Sequence, residues 1–219
     1  MMQSKGWNWE NVTNPHWTTP TDTGFYLANR WKEAGYETVL DLGSGLGRHS
    51  ICFAKHGLKV SAMDISDYGI KHLQTWAAKE SLNIDTYIGD MLSLPYDDNS
   101  FHCVFAYHVI SHSDTEGVKK IIKEIERVLK PQGEVLLSFC SKETTLYKEC
   151  IFPKLDDNTL ICQDEPEIGA PHFYTDLAGI LDLMANFSIE LVKHTEYCNL
   201  DLLNNQKEMY YYVNAALRN

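Results

Sequence analysis

The residues best suited to chemistry lie early in the chain: Asp41, then Gly43, Gly45 and Gly47 at alternate positions, and Asp64 further on. Glycine permits positive φ and lets a ligand approach closer than any Cβ would allow. The first N–H groups of a helix have no intrahelical partner and carry partial positive charge, so a helix opening at Arg48 would favour an anionic group. An acid about 20 residues beyond such a turn can accept hydrogen bonds from a ribose diol. The pattern therefore describes a cradle for a nucleoside-bearing small molecule, with Asp64 and the neighbouring Ile65 on its ribose side.

Those residues need a strand, a turn and a helix to hold them. Val39, Leu40 and Leu42 read as a buried strand interrupted by Asp41, and Arg48 to His56 as a helix stopped by Gly57. Lys59–Asp64 is a second strand, followed by a helix capped at Ser66 or Asp67 with Ile70, Leu73 and Ala77 inward. Asp85–Asp90 and Phe101–Ala106 read as strands three and four, with Tyr107 and His108 at the carboxyl end of the fourth. Ser113-x-x-Glu116 predicts a capping box ahead of an apolar stripe, Val118, Ile121, Ile122, Ile125, Val128 and Leu129. Lys130-Pro-Gln-Gly133 ends that helix and Glu134–Phe139 is the fifth strand. A helical face at Leu177, Ile180, Leu181 and Met184 precedes two last strands, Ser188–His194 and Glu208–Val213. Alternating strands and helices with right-handed crossovers give an α/β, three-layer doubly wound fold. The expected sheet is seven-stranded and mostly parallel, with an antiparallel terminal hairpin.

The acid closing the strand, the G-x-G-x-G spacing and the helix-Pro-x-Gly-strand segment resemble class I S-adenosylmethionine-dependent methyltransferases. The resemblance covers residues 36–140 well and 172–216 loosely. It implies that Asp41 meets the amino group of S-adenosyl-L-methionine directly or through water, that Gly43, Gly45 and Gly47 hold the methionine end near Arg48 and His49, and that Asp90 and Met91 meet the adenine. Tyr107 is expected near the cationic sulfur, where an aromatic face contributes about 0.5–2 kcal/mol. The dinucleotide fingerprint G-x-G-x-x-G would require glycine where Arg48 stands, which disfavours a nicotinamide-dependent oxidoreductase. A third reading is a module of the same fold that holds a cofactor or metabolite without turnover. A protein or RNA methyltransferase ranks below these.

The acceptor side is less defined. His108, His112 and His172 are candidate bases, since histidine titrates near neutrality, and His108 is the best placed. His49 and His56 read as helix-surface residues. The aromatic segment 1–35, with Trp7, Trp9, Trp17, Phe25, Tyr26 and Trp31, is expected to form a lid. Residues 141–171 lose periodicity and are expected to be an irregular, substrate-region insert within a single 1–219 domain. Six scattered cysteines without C-x-x-C, and no paired His-x-x-x-His, predict buried free thiols and no metal. A net charge of −11 without a basic cluster argues against nucleic acid as partner. No apolar run nears the roughly 20 residues of a membrane span, and the first nine residues lack a signal-type core. A cytoplasmic enzyme acting on a small-molecule acceptor is the resulting expectation.

Overall fold

A computed structural model describes residues 7, 9, 14–164, 167–198 and 207–219. The central sheet holds β1 (Thr38–Leu42), β2 (Lys59–Asp64), β3 (Ile84–Ile88), β4 (Phe101–Ala106) and β5 (Leu129–Ser141) in the order β3-β2-β1-β4-β5, all parallel. The helices between them are α2 (Arg48–Lys55), α3 (Asp67–Lys79) and α4 (Thr115–Val128), and α1 (Asp22–Glu33) precedes β1. The terminal hairpin, β9 (Phe187–Cys198) and β10 (Lys207–Leu217), joins antiparallel through β10 to β5. These strands form the expected seven-stranded sheet.

Successive strand residues point to opposite faces, and this alternation divides the core. Leu40, Leu42, Val104 and Ala106 pack with Val118, Ile121, Ile122 and Ile125 of α4 on one face. Val39, Cys103 and Phe105 pack with Leu27, Ala28 and Trp31 of α1 and with Cys52 and Phe53 of α2 on the other. Both faces are covered, so the inner strands are mostly apolar, as parallel strands require. Two acids are buried among them, Asp41 on β1, 2% exposed, and Glu134 on β5, 8% exposed. Glu134 accepts hydrogen bonds from Arg30 (2.5 and 3.0 Å), Trp31 Nε1 (2.9 Å) and Tyr36 OH (3.2 Å), which ties α1 to the sheet.

Several local expectations shift. The cap of α4 is Asp114, whose side chain accepts from Gly117 N at 2.7 Å, one residue beyond the Ser113 cap read from the sequence. Thr21 caps α1, its side chain accepting from Gly24 N at 3.2 Å. The fifth strand begins directly at Leu129, so Lys130–Gly133 is an irregular opening of β5, with a register shift against β4.

Segment 141–171 is not irregular. It contains α5 (Thr145–Lys148) and the hairpin β6 (Lys154–Asp156) and β7 (Thr159–Ile161), and β7 pairs with β8 (Pro171–Thr175). β8 then joins the end of β5 in parallel, Cys140 opposite Tyr174, giving ten strands among the described residues. β6 and β7 have three residues each, too few to show an alternating pattern, which is why this region read as loop. Thr115 anchors the hairpin to α4 by donating from N and Oγ1 to Asp156 at 3.2 and 2.8 Å. Pro166, read as part of the same loop, lies outside the described residues. α6 (Leu177–Leu183) follows.

Segment 1–35 also divides. Leu27, Ala28 and Trp31 are core, while Phe25 and Tyr26 are 44% and 61% exposed, so α1 is a layer of the fold and not a lid. Among the described residues, no helix is long and apolar enough to cross a membrane.

Candidate active site

Parallel strands bring their carboxyl ends to one edge, and the order reversal between β1 and β4 opens a crevice there. Leu42 lies level with Met63 and Asp64 with Ile88, so the tips of β1, β2 and β3 are adjacent. The turn after β1 is fixed by Gly43 N and Ser44 N donating to Met63 O at 2.7 and 3.0 Å. Gly43 has φ +72°, and a Cβ there would stand 2.2 Å from Val109. Gly45 has φ +54°, and its Cβ would stand 2.6 Å from Trp9. Conformation and crowding both demand glycine at these two positions.

A cavity of about 470 Å³ occupies the crevice. This volume suits a small-molecule ligand. Gly43, Ser44, Gly45, Asp64, Ile65 and Met91 line one end, and Tyr107 and His108 stand on its wall. The Asp64 carboxylate accepts from Gly45 N and Ser66 N, both at 2.8 Å, so it is held in place by the loop it faces. Burial raises its pKa, and the backbone donors of Ser66, Gly45 and Ile65 oppose that rise. The Ser44 hydroxyl is buried on this wall with no hydrogen-bond partner. A buried polar atom left in that state is costly unless a ligand meets it. Helix α2 opens after Gly47, which offers no side-chain cap.

Three expected cofactor residues do not reach the wall. Asp41 is turned by strand alternation toward α2, where Ser50 Oγ donates to it at 2.5 Å. Burial pushes its pKa up to about 7, against the Ser50 hydrogen bond. Gly47 packs behind the loop, where its Cβ would meet Leu73. Asp90 caps a turn instead, accepting from Leu92 N at 2.9 Å, while its neighbour Met91 is the residue that faces the cavity.

His49, read as a surface residue, is 5% exposed and lines the cavity. Its Nε2 lies 3.1 Å from Thr21 Oγ1, and burial holds its pKa well below the usual histidine value. Its apolar neighbours Phe53 and Phe105 show why: position 49 falls on the inward stripe of α2. Arg48, 7% exposed, donates to His16 O at 2.8 Å and lies over the rings of Trp17 and Tyr107. That bond fastens the Pro15–Thr18 turn to the cradle. Trp7, Trp9 and Trp17 cluster with ring centroids 5.2–5.6 Å apart and line the cavity.

His108 has φ +54°, a strained backbone for a side-chain-bearing residue. Its N–H donates to Ser138 Oγ at 2.5 Å, its ring stacks on Tyr210, and its Nε2 lies 2.7 Å from Tyr212 OH. Tyr107 and Tyr197 complete the phenol network on Tyr212. Burial, aided by Arg48, lowers the His108 pKa to about 3. A base so weak near neutrality is poorly matched to proton abstraction, so this geometry suits it to positioning.

The other two histidines converge. His112 and His172 stack with centroids 5.0 Å apart, Glu167 lies beside both with Nε2–O separations of 3.2 Å to each, and all three line the cavity. Neither Glu167 nor this grouping was visible in local sequence spacing, because the three residues come from separate loops and strands. Of the described cysteines, Cys52, Cys103 and Cys162 are buried and Cys140 is half-buried. Cys150 is exposed, against the expectation of burial.

Comparison with known proteins agrees with this geometry. Residues 39–133 match a methyltransferase domain family. An uncharacterised methyltransferase of Schizosaccharomyces pombe is 27% identical over 162 residues, covering 70% of this chain and 55% of its own length. A glycine/sarcosine/dimethylglycine N-methyltransferase of Actinopolyspora halophila is 30% identical over 139 residues, covering 62% of this chain and 23% of its own. The chain thus spans about half the length of the first relative and less than a quarter of the second. A S-adenosylmethionine-dependent methyltransferase structure from Methanosarcina mazei superposes with a TM-score of 0.70 at 22% identity, covering 84% of this chain and 93% of that one. Residues 39–133 are thus similar to a methyltransferase domain, and the chain shares the fold of a S-adenosylmethionine-dependent methyltransferase structure.

Proposed function

We propose that this chain binds S-adenosyl-L-methionine in the cavity and transfers its methyl group to a small-molecule acceptor. One observation carries the reading: a single cavity runs from the glycine loop and Asp64 to a wall of histidine and tyrosine side chains. When bound, the cofactor supplies an electrophilic methyl on a sulfonium. The chain's own contribution is to hold and orient. Asp64 accepts from the ribose hydroxyls, Ile65 and Met91 pack against the nucleoside, and Ser44 with the uncapped start of α2 meets the polar methionine end. Arg48 presents a guanidinium to the same end, where an anionic carboxylate suits it. Asp41, one layer behind, supplies negative charge toward a cationic ligand. Holding acceptor and methyl donor in line supplies on the order of 7–11 kcal/mol in favourable models, so no covalent intermediate is required.

Trp7, Trp9, His16 and Trp17 line the cavity beside the cradle, and Glu167 and His172 line the acceptor wall, so these residues select the acceptor. The small volume and the acidic charge favour a metabolite over nucleic acid or protein. The relative from Actinopolyspora halophila, named for glycine, sarcosine and dimethylglycine, supports acceptors of that size. A non-catalytic binding module is the second reading, favoured by the full engagement of His108 within its tyrosine network. Turnover of methyl-labelled cofactor across a metabolite panel separates the two. Transfer of label to a small molecule is expected; tight cofactor binding with no transfer across amine, phenol, carboxylate and thiol acceptors supports the module instead.

A further inference from the structure

We propose that His112, Glu167 and His172 form a binding site for a divalent transition-metal ion at the acceptor end of the cavity. Two imidazoles and one carboxylate are the donor set that zinc and neighbouring first-row ions accept, and three protein ligands leave a position open for a further group. The ligating atoms all lie within 4.8 Å of one another. His112 Nε2 is 3.2 Å from Glu167 Oε1, and His172 Nε2 is 3.2 Å from Glu167 Oε2, so both rings present the same nitrogen to one carboxylate. The rings are parallel within 7°. These are ion-pair distances without hydrogen-bond alignment: Glu167 Oε1 and His172 Nε2 are shielded from solvent and have no hydrogen-bond partner. Each of these buried atoms has an ion-pair contact at 3.2 Å, and a cation placed among the three side chains would bind both as ligands. Around an ion bound at about 2.0–2.2 Å, tetrahedral ligand atoms stand roughly 3.4 Å apart, close to the 3.2 Å separations between Glu167 and each imidazole.

The scaffold around the three residues is fixed by backbone bonds. The loop carrying His112 is closed by His112 N donating to Val109 O at 2.9 Å, and Phe173 N on β8 donates to the adjacent Ser111 O at 2.8 Å. Glu167 sits in a tight loop closed by Gly169 N to Cys162 O and Ala170 N to Glu167 O, both at 2.8 Å. His172 lies within β8, opposite Leu160 of β7. Preformed ligands on paired strands and short loops are what a specific site needs. All three line the cavity, so the ion's open position faces the space assigned above to the acceptor. In that one respect the inference rests on the methyltransfer reading: an acceptor bearing an anionic oxygen, nitrogen or sulfur would ligate the ion. Metal binding itself does not depend on it.

The test uses the full chain, stripped with chelator and titrated with Co²⁺ and with Zn²⁺ against a chromophoric competitor. One ion per chain is expected, with visible d–d absorption of bound Co²⁺ and a rise in Tm on addition of either ion. His172→Ala and Glu167→Gln should each weaken binding by at least about 100-fold, since even residues supporting a ligand are worth 10–100-fold. Cys150→Ser, which removes an exposed thiol, should leave the affinity unchanged. S-adenosylhomocysteine binding by the same variants reports whether they are folded. Absence of stoichiometric binding to the wild type, or equal affinity in folded His172→Ala, overturns the metal site and leaves the cofactor reading standing. Metal binding that survives where S-adenosylhomocysteine fails to bind the wild type supports the metal site and removes the cofactor reading.

Discussion

Two acids are buried in the same sheet, and their surroundings are opposite. Glu134 on β5 receives a guanidinium, an indole N–H and a phenol, so its charge is compensated inside the protein. Among the described residues, Asp41 on β1 receives the Ser50 hydroxyl and backbone N–H, and burial pushes its pKa up to about 7. A compensated acid is part of the framework. An acid with neutral donors, one layer behind a ligand cavity, is available to respond to a cation that arrives. The difference separates the part of the molecule that holds itself together from the part completed by a ligand.

The largest effect is expected from breaking the compensated site. Glu134→Ala strands Arg30, Trp31 and Tyr36 and should cost about 3–5 kcal/mol of stability, as removal of one partner from a buried ion pair does. Urea denaturation measures it, and a cost below about 1 kcal/mol would show that α1 is held by apolar packing alone. Next is Asp64→Ala, which removes the proposed ribose acceptor and also the Gly45 and Ser66 contacts. Loss of hydrogen bonds to a charged group is worth about 1.5–3 kcal/mol, so S-adenosylhomocysteine affinity should fall roughly 10- to 150-fold. Unchanged affinity in calorimetry would place the ribose elsewhere.

Asp41→Asn sharpens the contrast through pH. A carboxyl whose pKa is raised on folding contributes most when protonated, and that contribution is lost as pH rises from the unfolded value near 4 toward about 7. The wild type should therefore lose stability relative to Asp41→Asn across that window, with the gap in Tm constant above and below it. Cofactor binding should reverse the penalty, because a cationic ligand favours the carboxylate. Proton release on binding near pH 6, read by calorimetry in buffers of different ionisation enthalpy, should vanish in the variant. A gap that does not change with pH would mean Asp41 is ionised throughout. The smallest effect is at Trp9, whose ring lies against Gly45. Trp9→Ala should weaken cofactor binding several-fold, within the about 0.5–2 kcal/mol of an aromatic contact to a cation, and leave Tm nearly unchanged. Wild-type tryptophan fluorescence should change on binding.

The fold and the cradle were legible in the sequence because their signals are local. The Val39–Arg48 stretch contains strand, turn and helix start together, and α4 announces itself through a continuous apolar stripe. Asp41 and Asp90 were misplaced relative to the wall for reasons that local pattern does not carry. Alternation along β1 sends Asp41 toward α2, and Asp90 spends its side chain on the Leu92 turn while Met91 faces the cavity. His49 looked like a surface residue until α1 and the 15–18 turn closed over it. The acceptor end was invisible for a deeper reason. His112, Glu167 and His172 meet only because β8 extends the sheet beyond the end of β4, a long-range pairing that no spacing records.

The most direct test of the central claim is isothermal calorimetry of the unmodified chain with S-adenosylhomocysteine and, in parallel, with NADH. The account predicts one saturable S-adenosylhomocysteine site per chain and no NADH binding at the same concentrations. Saturable NADH binding without S-adenosylhomocysteine binding would contradict it.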